Sequence, residues 1–209
     1  ENEIGKKIPK LLPIVDCDSS NVRSQYEDSP YPMWTKVDLR KNNFSNIKGL
    51  SNAEILVAGC GTGRQSIYTA VNNPKSRILA IDLSLNSLAY AKRKSDELEI
   101  YNIDYLHGDI LNLKKLNRNF DFIESVGVIH HMNNPQLGLK VLVDSLNKKG
   151  NLRIGLYSKI ARREISLLKS NLKLNIENIS QNEIRHFRKH LIDRYSQYYK
   201  KYKSIYSSP

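Results

Sequence analysis

A glycine-rich turn is the strongest candidate for chemistry in this sequence. The run Val57-Ala58-Gly59-Cys60-Gly61-Thr62-Gly63 follows a short apolar stretch. Glycines let the backbone bend sharply and let a ligand lie against it without a Cβ in the way. A dinucleotide fingerprint places its third glycine five positions after the first, whereas Gly63 lies four positions after Gly59 and position 64 is arginine. The turn therefore suits a ligand without a pyrophosphate.

Two aspartates follow the next two apolar runs. Asp82 ends the second run, and a carboxylate there can accept hydrogen bonds from both hydroxyls of a ribose. It can equally cap the helix that we expect after Ser84. Asp109 follows the third run in His107-Gly108-Asp109-Ile110, where it can accept a hydrogen bond from an adenine amino group.

The fourth apolar run ends in a pair of histidines. The segment Phe120–His131 has an acidic start, an apolar middle and small residues near its end, which is typical of a strand that opens into a pocket. His130 and His131 lie where a general base could act. The alternative is that one or both only shape the loop or the pocket wall.

These candidates sit on a regular alternation of apolar runs and amphipathic stretches. The alternation predicts an α/β fold with a doubly wound, Rossmann-like, mostly parallel sheet and crossover helices. The predicted strands are Glu54–Ala58, Arg77–Asp82, Ile103–His107, Phe120–Val126 and Asn151–Tyr157. Ligands of such sheets bind outside the carboxyl ends of the strands at the switch point, and we expect the candidates to meet there.

Helices are predicted between the strands and after them. Gln65–Val71 can be helical, Ser84 can cap a helix, and Pro135 fits the first turn of a helix that runs to about Leu146. After the last strand, residues 160–176 have helical periodicity. Ser180 and Glu183 then form a capping box, followed by a long amphipathic stripe with five tyrosines between residues 195 and 206.

In their order and spacing, the motifs resemble those of class I S-adenosylmethionine-dependent methyltransferases. The resemblance rests on Ile55–Gly63, Ile78–Ser84, His107–Ile110, Phe120–His131 and the strand Lys149–Tyr157. Within that family, the segment Val22–Trp34 resembles bacterial proteins that also carry tetratricopeptide repeats. The resemblance implies S-adenosylmethionine as cofactor, in a pocket lined by Gly59, Cys60, Gly61, Thr62, Gly63, Asp82, Leu83, Asp109, Ile110, Glu124 and Ser125.

One position departs from the family's pattern. The acidic residue often found two places before the first glycine is Val57 here. The contact that this residue often makes with the amino group of the cofactor must then come from elsewhere or be absent.

The function that the resemblance implies is methyl transfer to an unidentified acceptor. A small metabolite, lipid, protein, sugar or RNA all remain open as the acceptor. The alternative is a non-catalytic cofactor-binding module whose basic helix binds nucleic acid or a protein partner. A nicotinamide oxidoreductase is disfavoured by the glycine spacing. Tyr26, Tyr31 and Trp34 can fold over the pocket as a lid, or they can staple the amino-terminal arm to the domain.

Three parts of the chain differ in character. Residues 1–50 form an irregular amino-terminal arm, residues 51–158 the methyltransferase core, and residues 159–209 a basic helical segment. The net charge of the whole chain is +12, and residues 159–209 carry 12 Lys and Arg against 4 Asp and Glu, or +8. Such a segment can attract nucleic acid or be a solvated helix face. We expect any nucleic-acid binding to be weak, sequence-independent and lost as salt rises.

Composition excludes several other classes of protein. No apolar run approaches the roughly 18 residues of a membrane span, and no signal peptide opens the chain. The two cysteines, Cys17 and Cys60, lack metal-ligand spacing and are too few for a disulfide framework. We therefore expect a cytoplasmic protein without a metal.

The carboxyl end raises the question of whether the chain is complete. The family completes its sheet with two more strands, and nothing after Tyr157 has the pattern of a strand. We therefore expect a piece of a longer protein, with the fifth strand as an exposed edge. Self-association through that edge or through the carboxyl-terminal helix would follow.

Overall fold

The computed structural model describes residues 2–13, 27, 30, 33–35, 50–160, 162–163, 186 and 189. The chain divides into two compact units, Glu1–Leu156 and Tyr157–Pro209. In the second unit, the guanidinium of Arg162 lies 3.9 Å from the ring centre of Tyr157. The helices predicted after residue 160, apart from a few isolated residues, and the lid residues Tyr26 and Tyr31 lie outside the described residues.

The first unit contains a five-stranded parallel sheet. Its strands are β1 (Glu54–Ala58), β2 (Arg77–Asp82), β3 (Ile103–His107), β4 (Phe120–Val126) and β5 (Leu146–Gly155). Their order is β3-β2-β1-β4-β5, and every pair is parallel. After β3 the chain crosses to the other side of β1, which creates the switch point between β1 and β4. The predicted fold class is confirmed.

Helices cover both faces of this sheet. One face packs against α2 (Arg64–Asn72) and α3 (Leu85–Glu97), and its core includes Ile67 and Leu88. The other packs against α4 (Pro135–Asp144) and the 3-10 helix Ile110–Leu116. The central strand β1 is buried on both sides, which explains its continuous apolar sequence.

Two of the predicted helix starts are confirmed. The Ser84 hydroxyl accepts a hydrogen bond from Ser87 N–H at 3.0 Å, so Ser84 caps α3. Pro135 lies at the start of α4, where Asn134 Oδ1 accepts from Leu137 N–H at 3.0 Å. Pro135 fits this first turn because it lacks an N–H that would otherwise need a partner.

The fifth strand differs from its predicted bounds. It begins at Leu146 rather than Asn151, because α4 already ends at Asp144. The register with β4 slips at this point: Phe120 pairs with Leu146, whereas Phe122 pairs with Asn151. The intervening residues, Asn147 to Gly150, face the single residue Asp121 across this register shift and carry no apolar alternation that would mark them as strand.

The amino-terminal arm is not wholly irregular, contrary to the prediction. Residues Asn2–Lys7 form a short helix, α1, which packs against α3. The following residues pair with β3: His107 N–H donates to Pro9 O and Leu11 N–H donates to His107 O, both at 2.9 Å. These bonds cover part of the β3 edge, which would otherwise offer unpaired backbone groups.

Candidate cofactor site

The glycine turn is built from backbone hydrogen bonds at the carboxyl end of β1. Gly59 N–H and Cys60 N–H both donate to Ile81 O of β2, at 2.8 and 3.1 Å. Gly63 N–H then donates to Cys60 O at 3.0 Å, and α2 starts directly afterwards. The backbone at all three glycines of the turn has positive φ, so the turn needs the glycines that the sequence places there.

The loop after β4 lies directly on the first glycine. A Cβ at Gly59 would stand 2.2 Å from Cγ2 of Val128, far inside contact distance. Only a residue without a side chain therefore lets these two segments meet. The 3-10 helix Ile129–His131 follows at once, so the histidine pair begins two residues after this contact. The packing of Val128 was not predicted from the sequence.

Asp82 joins the glycine turn to the start of α3. Its Oδ2 accepts from Gly61 N–H at 2.7 Å, and its Oδ1 accepts from Ser84 N–H at 2.9 Å. The helix-supporting role that was one of the two interpretations of Asp82 is therefore present. Burial raises the pKa of this carboxyl above its usual range. A carboxylate has about four acceptor positions, so these bonds do not exhaust its capacity to bind hydroxyl groups.

Glu27 from the amino-terminal arm lies at the same helix start. Its carboxylate accepts from Leu85 N–H at 3.1 Å, from Asn86 N–H at 2.9 Å and from the Ser84 hydroxyl at 3.2 Å. An anion is stabilised there by the positive end of the helix. Sequence reasoning missed this residue, because its partners are 57 to 59 positions away and nothing local marks it.

The end of β3 contributes two further side chains. The Asp109 carboxylate accepts from Leu111 N–H at 2.8 Å and caps the 3-10 helix Ile110–Leu116. His107 Nε2 lies 2.9 Å from Leu83 O. Gly108 N–H donates to Asp82 O at 3.0 Å. The structure thus brings the predicted residues Asp82, Leu83 and Asp109 together at adjacent strand ends.

Glu124 is engaged with secondary-structure elements around it. This carboxylate is almost fully buried in β4. It accepts from Gln65 Nε2 and Thr69 Oγ1 of α2, both at 3.0 Å, and pairs with Arg153 of β5 at 3.0 Å. These contacts connect three elements of the core. The resemblance implied that Glu124 lines the cofactor pocket, and that role stays a prediction.

Ser125 is the buried polar group that remains unsatisfied at the end of β4. Its side chain is 1% exposed, and among the described residues its hydroxyl has no hydrogen-bond partner. Burying an unpaired hydroxyl costs roughly 1–3 kcal/mol. A ligand that supplies a hydrogen bond here would recover that cost.

Trp34 is held inside the core rather than over an opening. It is buried, its Nε1–H donates to Thr62 O at 3.1 Å, and its ring meets that of Tyr90 edge-on at 6.1 Å. Backbone N–H of Trp34 also donates to the Tyr90 hydroxyl at 3.3 Å. These contacts favour the interpretation of Trp34 as a staple for the arm.

The histidine pair is compact. The rings of His130 and His131 lie 4.3 Å apart between centroids and are tilted by 49°. Within the part of the chain that the structure describes, no group of three His, Cys, Asp or Glu side chains is arranged to hold a metal ion. None of the helices described there is long and apolar enough to cross a bilayer.

A family model matches the part of the chain that forms most of the sheet. Residues 55–150 match the family model described as a methyltransferase domain. The five-stranded parallel sheet with a glycine turn after β1 agrees with the doubly wound, Rossmann-like fold that was predicted. Residues 55–150 therefore resemble a methyltransferase domain in both sequence and fold.

Individual relatives add little information about the reaction or its acceptor. An uncharacterised protein of a Synechococcus strain is 38% identical over 128 residues, which cover 60% of this chain and 30% of that protein. A demethylmenaquinone methyltransferase of Listeria welshimeri is 26% identical over 124 residues, covering 59% of this chain and 49% of the relative. The chain thus spans half or less of these relatives. The predicted likeness to proteins with tetratricopeptide repeats stays a prediction.

A solved structure shows the same fold. Magnesium protoporphyrin IX methyltransferase from Synechocystis PCC 6803, crystallised with bound S-adenosylmethionine, superposes with a TM-score of 0.51. The match covers 65% of this chain and 75% of that one at 16% identity. At 16% identity this similarity shows a shared fold and says nothing about the reaction, which depends on the residues of the site.

Proposed function

We propose that this chain binds S-adenosylmethionine at the carboxyl ends of β1, β2, β3 and β4 and transfers its methyl group to an acceptor. The observation that carries the proposal is the position of Asp82. One carboxylate supports both the glycine turn, through Gly61, and the start of α3, through Ser84. It therefore lies where a ligand seated on the turn would present its ribose, in a domain that matches a methyltransferase family.

The residues at this site fit an adenosine-containing ligand. Asp82 retains acceptor capacity for ribose hydroxyls, and Asp109 is a carboxylate that can accept from an adenine amino group. Leu83 and Ile110 supply apolar surface, and Ser125 offers a buried hydroxyl without a partner among the described residues. Gly59, Cys60, Gly61, Thr62 and Gly63 form the turn on which the ligand would lie. We further propose that Glu124 borders this pocket.

The cofactor, when bound, supplies an electrophilic methyl group on a sulfonium. The chain's own residues then have to align the acceptor with that methyl group and exclude water, and orientation of this kind contributes about 7–11 kcal/mol. His130 and His131 can take a proton from an acceptor that needs activation. We propose that Tyr26 and Tyr31 border the acceptor side, whereas the buried Trp34 holds the arm on the domain through Thr62 and Tyr90.

Calorimetry with S-adenosylhomocysteine and NAD tests the cofactor assignment. We expect the product-like ligand to bind and NAD to bind more weakly by about tenfold or more, a difference of at least ~1.4 kcal/mol. The reason is that the turn suits a ligand without a pyrophosphate. Tighter binding of NAD would overturn the assignment.

A radiolabelled methyl transfer assay tests the activity. Labelled S-adenosylmethionine is incubated with panels of small metabolites, lipids, proteins, sugars and RNA, because the acceptor class is open. The name of the Listeria relative makes quinone precursors one panel worth including. Binding of cofactor with no transfer to any panel would favour the non-catalytic binding module instead.

The remaining parts of the chain have proposed accessory roles. We propose residues 1–50 as an arm, residues 51–158 as the catalytic core and residues 159–209 as a basic segment in a cytoplasmic protein. The charge of +8 on the last segment supports weak, sequence-independent nucleic-acid binding. Self-association through the β5 edge or this segment is also proposed. Salt titration of RNA binding tests the former, and tight binding that resists salt would contradict it.

A further inference from the structure

Two carboxylates from distant parts of the chain converge on one serine. Ser84 N–H donates to Asp82 Oδ1 at 2.9 Å, and the Ser84 hydroxyl donates to Glu27 Oε2 at 3.2 Å. Both carboxylates therefore accept a hydrogen bond from the same residue, Ser84. The charge of Glu27 also contributes, after burial, to raising the pKa of Asp82, which agrees with their closeness.

Glu27 also occupies the amino-terminal end of α3. The backbone N–H groups of Leu85 and Asn86 donate to its carboxylate, and Ser87 N–H donates to Ser84 Oγ. Helix amino termini bind phosphate through such N–H groups and the helix dipole. In this chain the N–H groups that would hold a phosphate already hold the protein's own carboxylate.

We infer that Glu27 is a specificity-determining residue that restricts the cofactor site to a ribose with unmodified 2′- and 3′-hydroxyls. The inference rests on the proposed function, because it takes Asp82 as the ribose-binding carboxylate. A phosphate on O2′ or O3′ would be placed beside Asp82, near Glu27 and a helix end without available N–H groups. Repulsion between like charges then disfavours it. A phosphate on O5′ lies on the far side of the ribose and escapes this effect.

The test compares three isomeric ligands on one protein. Dissociation constants of adenosine 2′-, 3′- and 5′-monophosphate are measured by calorimetric competition with S-adenosylhomocysteine. For the unaltered chain we expect the 2′- and 3′-isomers to bind more weakly than the 5′-isomer. In Glu27→Gln we expect this discrimination to shrink by about tenfold, which corresponds to ~1.4 kcal/mol of removed repulsion.

Two control variants separate charge from shape. Glu27→Asp keeps the charge and shortens the side chain, so it should retain the discrimination even if all three affinities fall. Glu97→Gln removes one negative charge at the other end of α3, where Glu97 pairs with Arg93 and Lys94, and it should leave the discrimination unchanged. Thermal unfolding of each variant checks that the domain remains folded.

The outcomes are distinguishable from failure of the proposed function. Equal weakening of all three isomers in Glu27→Gln would overturn the inference and leave Glu27 as a clasp for the arm. An equal change in Glu97→Gln would overturn it too, since the effect would then be one of overall charge. If S-adenosylhomocysteine does not bind the unaltered chain, the proposed function itself fails, and direct titration of the three isomers still tests Glu27.

Discussion

The backbone of Gly63 packs directly against Ala91 of α3: a Cβ at position 63 would lie 2.4 Å from the Ala91 Cβ. Gly63 also has a φ of +80°. The glycine turn therefore packs against α3 at this point, and the two can come so close only because residue 63 has no side chain.

A Gly63→Ala variant should lose stability for two reasons at once. The clash with Ala91 and the positive φ together should cost about 2–4 kcal/mol in the free energy of unfolding. Urea unfolding monitors the loss. Gly127→Ala is the matched control, because Gly127 has a φ of +77° but no atom within 4 Å of its added Cβ. Equal losses in the two variants would show that the Ala91 contact contributes nothing.

Asp82→Asn should weaken binding of S-adenosylhomocysteine by about 1.5–3 kcal/mol, the range for hydrogen bonds to a charged group. Calorimetry gives the affinity, and thermal unfolding shows whether the turn survives the substitution. An unchanged affinity in a folded variant would reduce Asp82 to its contacts with Gly61 and Ser84.

The pH dependence of cofactor affinity should reflect the same carboxyl group. Hydroxyl groups donate to the charged form, so affinity should fall as the pH drops through the pKa of Asp82. Because burial raises that pKa, the fall should begin at a higher pH than an ordinary aspartate would give. The sign for stability is opposite: a raised pKa favours the folded state at low pH, and this contribution is lost as the pH rises through it. Asp82→Asn should remove the contribution of this carboxyl group to the pH dependence of cofactor affinity and to that of stability. Affinity and unfolding at a series of pH values measure the two effects.

Ser125→Ala should separate stability from ligand binding. Removing a buried hydroxyl without a partner should leave the free energy of unfolding unchanged or raise it by about 0.5–1 kcal/mol, while affinity for S-adenosylhomocysteine falls. Ser95→Ala is the control, since Ser95 is equally buried but donates to backbone carbonyls of Ala91 and Lys92. Ser95→Ala should lose stability. Unchanged affinity in Ser125→Ala would remove Ser125 from the proposed pocket.

Glu124→Gln should destabilise the domain by about 1–3 kcal/mol, because it removes the charged partner of Arg153 and weakens two hydrogen bonds from α2. Chemical denaturation measures the effect against Glu97→Gln, whose carboxylate is on the surface. A variant with unaltered stability but weaker cofactor binding would instead support the pocket role that the resemblance implied.

Local signals were enough to predict most of the sheet. The bounds of β1 to β4 follow from short apolar runs that end at glycine or aspartate, and Ser84 and Pro135 mark helix starts through side-chain chemistry that acts within a few residues. The start of β5 could not be read in this way. Only Leu146 pairs with Phe120; the next four residues are polar or glycine, and the register shifts before Asn151 pairs with Phe122.

Contacts between distant segments account for the rest of what was missed. Glu27, the packing of Val128 on Gly59 and the pairing of Lys10 with His107 leave no local pattern in the chain. The partners of Asp109 and Glu124 could not be predicted from the sequence either. A carboxylate at a strand end has the same local sequence pattern whether it binds a ligand, caps a helix or pairs with an arginine. Their residue types were predicted as functional, but their partners depend on the fold.

The pairing of Lys10 with His107 also bears on the order of events during synthesis. The two positions are 97 residues apart, and a ribosome adding about 5–20 residues per second needs about 5–20 s to cover that distance. Throughout this interval Ile8 and Leu11 have no β3 to join. The arm is therefore made well before the strand that it covers, and the nascent chain carries these apolar residues without their partners until β3 has left the ribosome.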